Sequence, residues 1–165
     1  MGGPAATLSK VRKFAGIMLL TGLLPKSFRM STASARYTGN LRTEATHTAS
    51  GTAILTDAPL DNHGRGESFS PTDLVSAALG SCMMTIMGIV AERQGLPLTG
   101  TTYDVTKHMS PDAPRRIRQI DVRFQLPSSL TQKDRTILEN AARTCPVALS
   151  LHPEIVQDVV FEYGE

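Results

Sequence analysis

The chain has 165 residues, 41% of them hydrophobic and 19% charged, which fits one domain with its own core and leaves room to bury more by pairing. Its formal charge of +2 comes from one end: Lys10, Arg12, Lys13, Lys26 and Arg29 all precede the first acid, Glu44, so the residues after 35 carry 12 basic against 15 acidic side chains, a net of −3. A mildly acidic body excludes the broad basic footprint of nucleic-acid binding, and histidines at 47, 63, 108 and 152, without CxxC, HxxxH or HExxH spacing, argue against a metal site.

Residues 1–35 read as an N-terminal extension and 36–165 as the domain proper. Lys10, Arg12 and Lys13 precede the apolar run Phe14 to Leu24, and Ala33-Ser34-Ala35 has the small-x-small pattern of a signal-peptidase site. The same acid-free segment, with its Ser and Thr, also fits an organelle transit peptide, and Met30 is an alternative start for a shorter cytosolic chain. We expect a cytoplasmic protein, with export or organelle import as the alternatives. An apolar run of 11 residues is too short to span a bilayer.

In chain order, Arg36 to His47 and Thr52 to Thr56 alternate polar and apolar residues around the turn Ala49-Ser50-Gly51, which predicts two strands in a hairpin. Asp57 to Phe69 mixes Pro, Asn and two glycines with charges, the composition of an exposed loop, and function often sits on such loops. Gly64-Arg65-Gly66 within it is a lone pair of glycines and no nucleotide fingerprint.

A long helix follows. Ser70 caps it, Pro71 takes its first position, Asp73 completes a capping box, and Gly95 with Pro97 ends it. From Leu74 to Ala91 there are 18 residues without a charge, long enough to span a membrane. The small residues Ala77, Ser81 and Thr85, four apart, with Gly80 and Gly88 nearby, predict instead a helix buried all round at the centre of a domain or dimer. Leu98 to Met109 and Arg116 to Leu126 read as a second hairpin, with Arg115, Arg116, Arg118 and Arg123 as a solvated rim or a phosphate or partner contact. Thr131 and Asp134 cap a helix to about Arg143, with Ile137, Leu138 and Ala141 facing inward. Cys145-Pro146 breaks it, a short helix runs to Leu151, and Ile155 to Tyr163 makes a last strand. The order ββαββααβ predicts an α+β fold with a largely antiparallel sheet.

The only two cysteines, Cys82 and Cys145, stand 63 positions apart, one deep in the uncharged helix and one directly before a proline. A free cysteine in an apolar helix is usually a small core residue, and an exported protein would favour a structural disulfide between the two. Their framing points to a third reading, thiol redox chemistry. A thiolate, not a thiol, cleaves a peroxide O–O bond, so the reacting sulfur needs an electropositive neighbour and access for substrate. Cys82 lies about three turns into its helix, beyond the reach of the N-terminal dipole, so a cationic side chain has to serve it.

Ser70-Pro71-Thr72-Asp73-Leu74 followed by Ala77-Ala78-Leu79-Gly80-Ser81-Cys82 resembles the first-cysteine motif of the OsmC/Ohr family of thiol-dependent peroxidases, and Cys145-Pro146-Val147 with Ser150-Leu151 is similar to its second. With the strand order around both, the resemblance covers roughly residues 36–165. It implies an OsmC-like fold, with antiparallel sheets wrapped around two central helices in an intertwined homodimer whose active sites lie at the subunit interface. It also implies a peroxidase for small, apolar organic hydroperoxides, with Cys82 passing through a sulfenic acid to a Cys82–Cys145 disulfide, which an external lipoyl-type dithiol or thioredoxin-like reductant resets; no bound cofactor is expected.

Arg65 is the first candidate for the activating cation, because the OsmC branch brings an arginine from the preceding loop. Arg42 is the second, by likeness to the Ohr branch, whose Gly-Gly-Arg signature is absent. Where these families carry a Glu paired with that arginine, this chain has Thr72; Glu67 and Asp73 are the candidate substitutes, Asp73 being also the capping carboxylate. Met83, Met84, Ile86 and Met87 either fill the core or wall an apolar substrate site. The alternative is a non-catalytic dimer of the same fold that binds an apolar ligand or serves as a structural stress protein.

Overall fold

The computed structural model describes residues 31–164; the basic residues, apolar run and alternative start at Met30 lie outside the described residues. From Thr32 onward the chain forms one compact unit, with two three-stranded sheets and three α-helices. The first sheet is a meander of β1 (Ala33–Gly39), β2 (Arg42–His47) and β3 (Ala53–Thr56), antiparallel throughout. Ala33-Ser34-Ala35 pairs with Ala45-Thr46-His47 inside it.

The single strand expected over Arg36 to His47 is therefore two. Asn40 and Leu41 adopt positive φ of 52° and 62°, the pair of left-handed residues that a tight hairpin turn requires. Alternation continues through the turn, so the pattern hides it. The expected hairpin across Ala49 to Gly51 stands between β2 and β3, with Thr43 opposite Thr56.

A loop with one 3-10 turn at Leu60–Asn62 leads to α1 (Pro71–Gln94). Its capping box is complete: Ser70 Oγ accepts the Asp73 N–H at 3.1 Å, and Asp73 accepts the Ser70 N–H at 2.7 Å. Gly95, at φ 66°, ends the helix in the left-handed conformation. The second sheet holds β4 (Thr102–Met109), β5 (Ile117–Leu126) and β6 (Val156–Tyr163). β4 and β5 are the expected antiparallel hairpin, whereas β6 lies parallel to β5. Parallel neighbours need a crossover, and α2 (Gln132–Arg143) with α3 (Pro146–Ser150) supplies it. The largely antiparallel expectation thus holds for three of the four strand pairs.

The core lies between α1, the second sheet and α2. Leu79, Met83, Met87 and Ala91 from α1 meet Ile120, Val122 and Phe124 from β5 and Leu138 and Ala142 from α2. Met83 and Met87 are core filling, with Met84 and Ile86 packed beside them; on α2 the buried alanine is Ala142, one place beyond Ala141. Gly80 is needed for packing, because a Cβ there would sit 2.6 Å from the Tyr103 ring.

Within a single chain α1 is not buried all round, so the expected all-round burial does not come from the domain itself; burial in a dimer is the other half of that expectation. Val75, Ala78, Ser81, Thr85 and Ile89 form an exposed stripe along it, and Gly88 faces open space. The strands of the first sheet pack extensively only on one another and are mostly exposed. Three of the four rim arginines are engaged: Arg115 with Asp61 at 2.8 Å, Arg123 with Asp158 at 2.7 Å, and Arg116 with Glu154.

Candidate functional site

Helix α1 carries Cys82 on the border between its packed face and its exposed stripe, half-buried. The turn after α2 carries Cys145, and Pro146 behind it starts α3, so Cys145 becomes the cap of that short helix. Its sulfur accepts the Ala148 N–H at 3.2 Å and is wholly shielded from solvent. Because α3 packs on α1, two sulfurs 63 positions apart in sequence come within interaction range, both as free thiols. Burial pushes the Cys145 thiol above its ordinary value; the Ala148 N–H opposes this, and the neighbouring Cys82 reinforces it.

A half-open sulfur beside a sealed one suits a division of labour. The first can be approached by a substrate, and the second keeps its proton until a partner reacts with it.

The candidate charges gather elsewhere in the chain. Arg42 opens β2, and its Nη2 donates to Asp57 Oδ2 at 3.1 Å and to Glu67. Glu67, then Asp57, raise the Arg42 guanidinium above its ordinary value. The Glu67 N–H outweighs the upward pull of desolvation on Asp57 and, with Arg42, holds that carboxyl below the usual range. Arg65, exposed on the same loop, has no side-chain partner among the described residues. Among the described residues no hydrogen bond or ion pair joins either cysteine to an arginine.

Asp73 caps α1 and receives Lys107 Nζ at 2.6 Å; the same ammonium donates to Thr72 Oγ1 at 2.8 Å and Ser70 Oγ at 3.0 Å. Burial pulls the Asp73 carboxyl up, but Lys107 and the Ser70 N–H outweigh it and hold the carboxyl low. Thr72 is thus satisfied by a lysine from β4. An open cleft of about 890 Å³ beside this cap is lined by Glu67, Phe69, Asp73, Tyr103 and Lys107, and not by either cysteine.

Sequence reasoning missed two residues here, Asp57 and Lys107. Asp57 looked like one more loop charge, although its place at the strand end, followed by Pro59 and the paired glycines, was a usable signal of a structured loop. Lys107 carried none, since its partners lie 34 to 37 positions away.

The family described as "OsmC-like protein" matches residues 64–159. No curated protein matches the chain. Among solved structures, one from Psychrobacter arcticus 273-4, named provisionally for osmotic stress induction and detoxification response, is 45% identical over 85% of this chain and all of that one, with a TM-score of 0.78. An organic hydroperoxide resistance protein from Legionella pneumophila shares 16% identity over 81% of this chain and 98% of its own, at a TM-score of 0.64. One from Elizabethkingia anophelis shares 14% over 82% and 98%, at 0.65. These last two show likeness of fold alone.

Proposed function

The chain belongs to the OsmC-like family, and on that premise we propose that it is a thiol-dependent peroxidase acting on organic hydroperoxides. The observation that carries this reading is the meeting of the half-open Cys82 with the sealed Cys145.

In the first step the Cys82 thiolate attacks the O–O bond of ROOH. Sulfur gains one oxygen as sulfenic acid, and the leaving alkoxide takes a proton and departs as ROH. The Cys145 thiol then displaces hydroxide from that sulfur, which leaves as water with the thiol's proton, and a Cys82–Cys145 disulfide forms. An external dithiol of lipoyl or thioredoxin-like type reduces the disulfide and is itself oxidised to a disulfide. A reducing compartment such as the cytoplasm keeps both thiols free between turnovers.

The reading includes a homodimer. Eight of the ten large apolar side chains that stay exposed among the described residues lie in the first sheet, the following loop or α1, more than an isolated surface needs. A second copy over the α1 stripe would cover Val75 and Ile89, close a cavity around Cys82, and bring a guanidinium to a sulfur that has no arginine partner among the described residues of its own chain. Arg65, without a counter-ion, is the candidate. A second reading, a non-catalytic dimer that holds an apolar ligand, is favoured by Thr72, whose hydroxyl is taken by Lys107 in place of a carboxylate pairing with arginine.

Stopped-flow consumption of cumene hydroperoxide with a dithiol separates the two. Cys82→Ser is expected to abolish consumption, and Cys145→Ser to complete about one turnover per subunit and stall. Equal rates for wild type and Cys82→Ser would end the peroxidase reading.

A further inference from the structure

We propose that Asp57 is the positioning residue of this site: its buried carboxylate, braced by Arg42 and Glu67, mounts the loop that carries Arg65 and so sets where the one unpaired guanidinium of that loop points. The proposal rests on the peroxidase reading only in taking Cys82 as the sulfur that Arg65 serves.

The loop from Asp57 to Phe69 is fixed along its backbone. Its ends are tied by the Asp57 N–H donating to the Phe69 carbonyl at 3.1 Å, and its middle by the Gly64 N–H to Pro59 at 3.0 Å and the Gly66 N–H to Ala58 at 3.2 Å. Only glycine fits at 64, where a Cβ would lie 1.7 Å from the Ala58 carbonyl oxygen, and Gly66 takes a φ of +61°. The glycines on either side of Arg65 are therefore what let the loop fold down onto Ala58.

At the centre of this loop stands Asp57, with no exposed side-chain surface. Its Oδ2 accepts Arg42 Nη2 at 3.1 Å and the Glu67 N–H at 2.9 Å. One group thus holds the main chain just after Gly66 and anchors it to β2. Both contacts fall on Oδ2, while Oδ1 is buried without a hydrogen-bond partner among the described residues, so Arg42 and the Glu67 N–H alone offset the lost hydration and make this carboxylate the loop's fixed point.

Charge separates the roles of the two arginines. Arg42 faces two carboxylates, a local sum of −1, and a cluster of that sign cannot favour a thiolate nearby. Arg65 has no counter-ion among the described residues. Arg42 belongs to the mount, and Arg65 is the group presented.

The test is a double-mutant cycle on the full chain with Asp57→Asn, Arg65→Met and both together. Two readouts are taken: the second-order rate constant with cumene hydroperoxide, and, in a Cys145→Ser background, the pH profile of iodoacetamide alkylation of the remaining Cys82. Arg65→Met is expected to cost about 100-fold in rate and Asp57→Asn about 10-fold, each moving the alkylation profile to higher pH. Adding Asp57→Asn to Arg65→Met is expected to change neither readout further, while lowering Tm by the same amount in both backgrounds. Arg65→Lys, which keeps the charge, should return the profile most of the way. If Asp57→Asn does not fold, Arg42→Lys enters the cycle in its place with the same expectation.

A full additional loss in the double variant overturns the proposal, as does an Arg65→Met protein with unchanged rate and profile. The alkylation arm needs no peroxide, so loss of the peroxidase reading, seen as Cys82→Ser consuming peroxide like wild type, stays distinguishable from loss of the mount.

Discussion

The two faces of α1 present opposite situations. Inward, Leu79, Met83, Met87 and Ala91 meet a finished core in which Phe124, Ile120 and Leu138 have no exposed surface. Outward, Val75 and Ile89 keep 38% and 39% of theirs, and the nearby first sheet leaves Tyr37, Ile54 and Leu55 about half open or more. One uncharged stretch, Leu74 to Ala91, serves both faces. An uncharged helix whose outer stripe stays open is unusual for a face meant for water, so the contrast teaches that the chain completes one wall of its interior and leaves the other without a cover of its own, which is the face the proposed second copy would take. Cys82 stands on the seam between them.

The sharpest way to break this division is to truncate one residue on each side. Phe124→Ala removes a ring packed between Tyr103 and Phe161, at centroid distances of 5.6 and 5.3 Å, and is expected to cost about 3–5 kcal/mol in urea unfolding. Ile54→Ala, at a side chain 47% exposed in a sheet whose extensive packing is on itself, is expected to cost under about 0.5 kcal/mol in dilute protein, the range of surface changes. Ile89→Arg should leave the far-UV spectrum unchanged and shift sedimentation toward monomer, because a charge on the stripe would have to be buried unpaired. An Ile54→Ala loss as large as that of Phe124→Ala, or an Ile89→Arg protein that stays dimeric, would remove the distinction.

The contrast also explains which parts of the fold could be read from the sequence. Ser70 with Asp73 and Thr131 with Asp134 act over three residues, and both boxes form as their spacing predicts. The cysteines could be paired because each sits in a short motif that resembles a family's, although nothing local links them. The turn at Asn40-Leu41 escaped because alternation runs straight through it, and leucine at positive φ is a poor signal. The parallel seat of β6 escaped because strand pairing is decided by the α2–α3 crossover and leaves no mark on the strand itself. The all-round burial expected of α1 left domain and dimer open as its source, because helical periodicity cannot tell a face buried by its own chain from one left for another.

A middle-sized effect is expected at the α1 cap, where the two faces share a start. Ser70→Ala removes the acceptor for the Asp73 N–H and a contact of Lys107, and should cost about 1 kcal/mol. Asp73 also gives the cap a pH dependence. Its carboxyl is held below its ordinary value in the folded protein, so its contribution is complete above the unfolded value of about 3.9 and is lost as pH falls through the lower folded value. With 40% of the Asp73 side chain exposed, screening keeps that contribution small. Urea midpoints at pH 7 and pH 3 should therefore differ less for Asp73→Asn than for wild type; equal differences would show that the acid sensitivity lies elsewhere.

The smallest effect is expected on the outer sheet, at Arg36 and Glu44, which pair across β1 and β2 at 2.9 Å with side chains 72% and 31% exposed. An ion pair this open is worth about 0–0.5 kcal/mol, so Glu44→Gln should barely move the urea midpoint of dilute protein, unlike the sheltered contacts of Lys107, whose side chain is 15% exposed. A loss that stays negligible at every protein concentration marks the first sheet as peripheral to the pairing of copies. A loss that grows with concentration assigns it to the interface, since only a group that is paired in the assembled state and solvated in the separated one can couple its charge to association. Glu44→Gln thus asks whether the proposed second copy would cover the α1 stripe alone or also lie against the open strands before it.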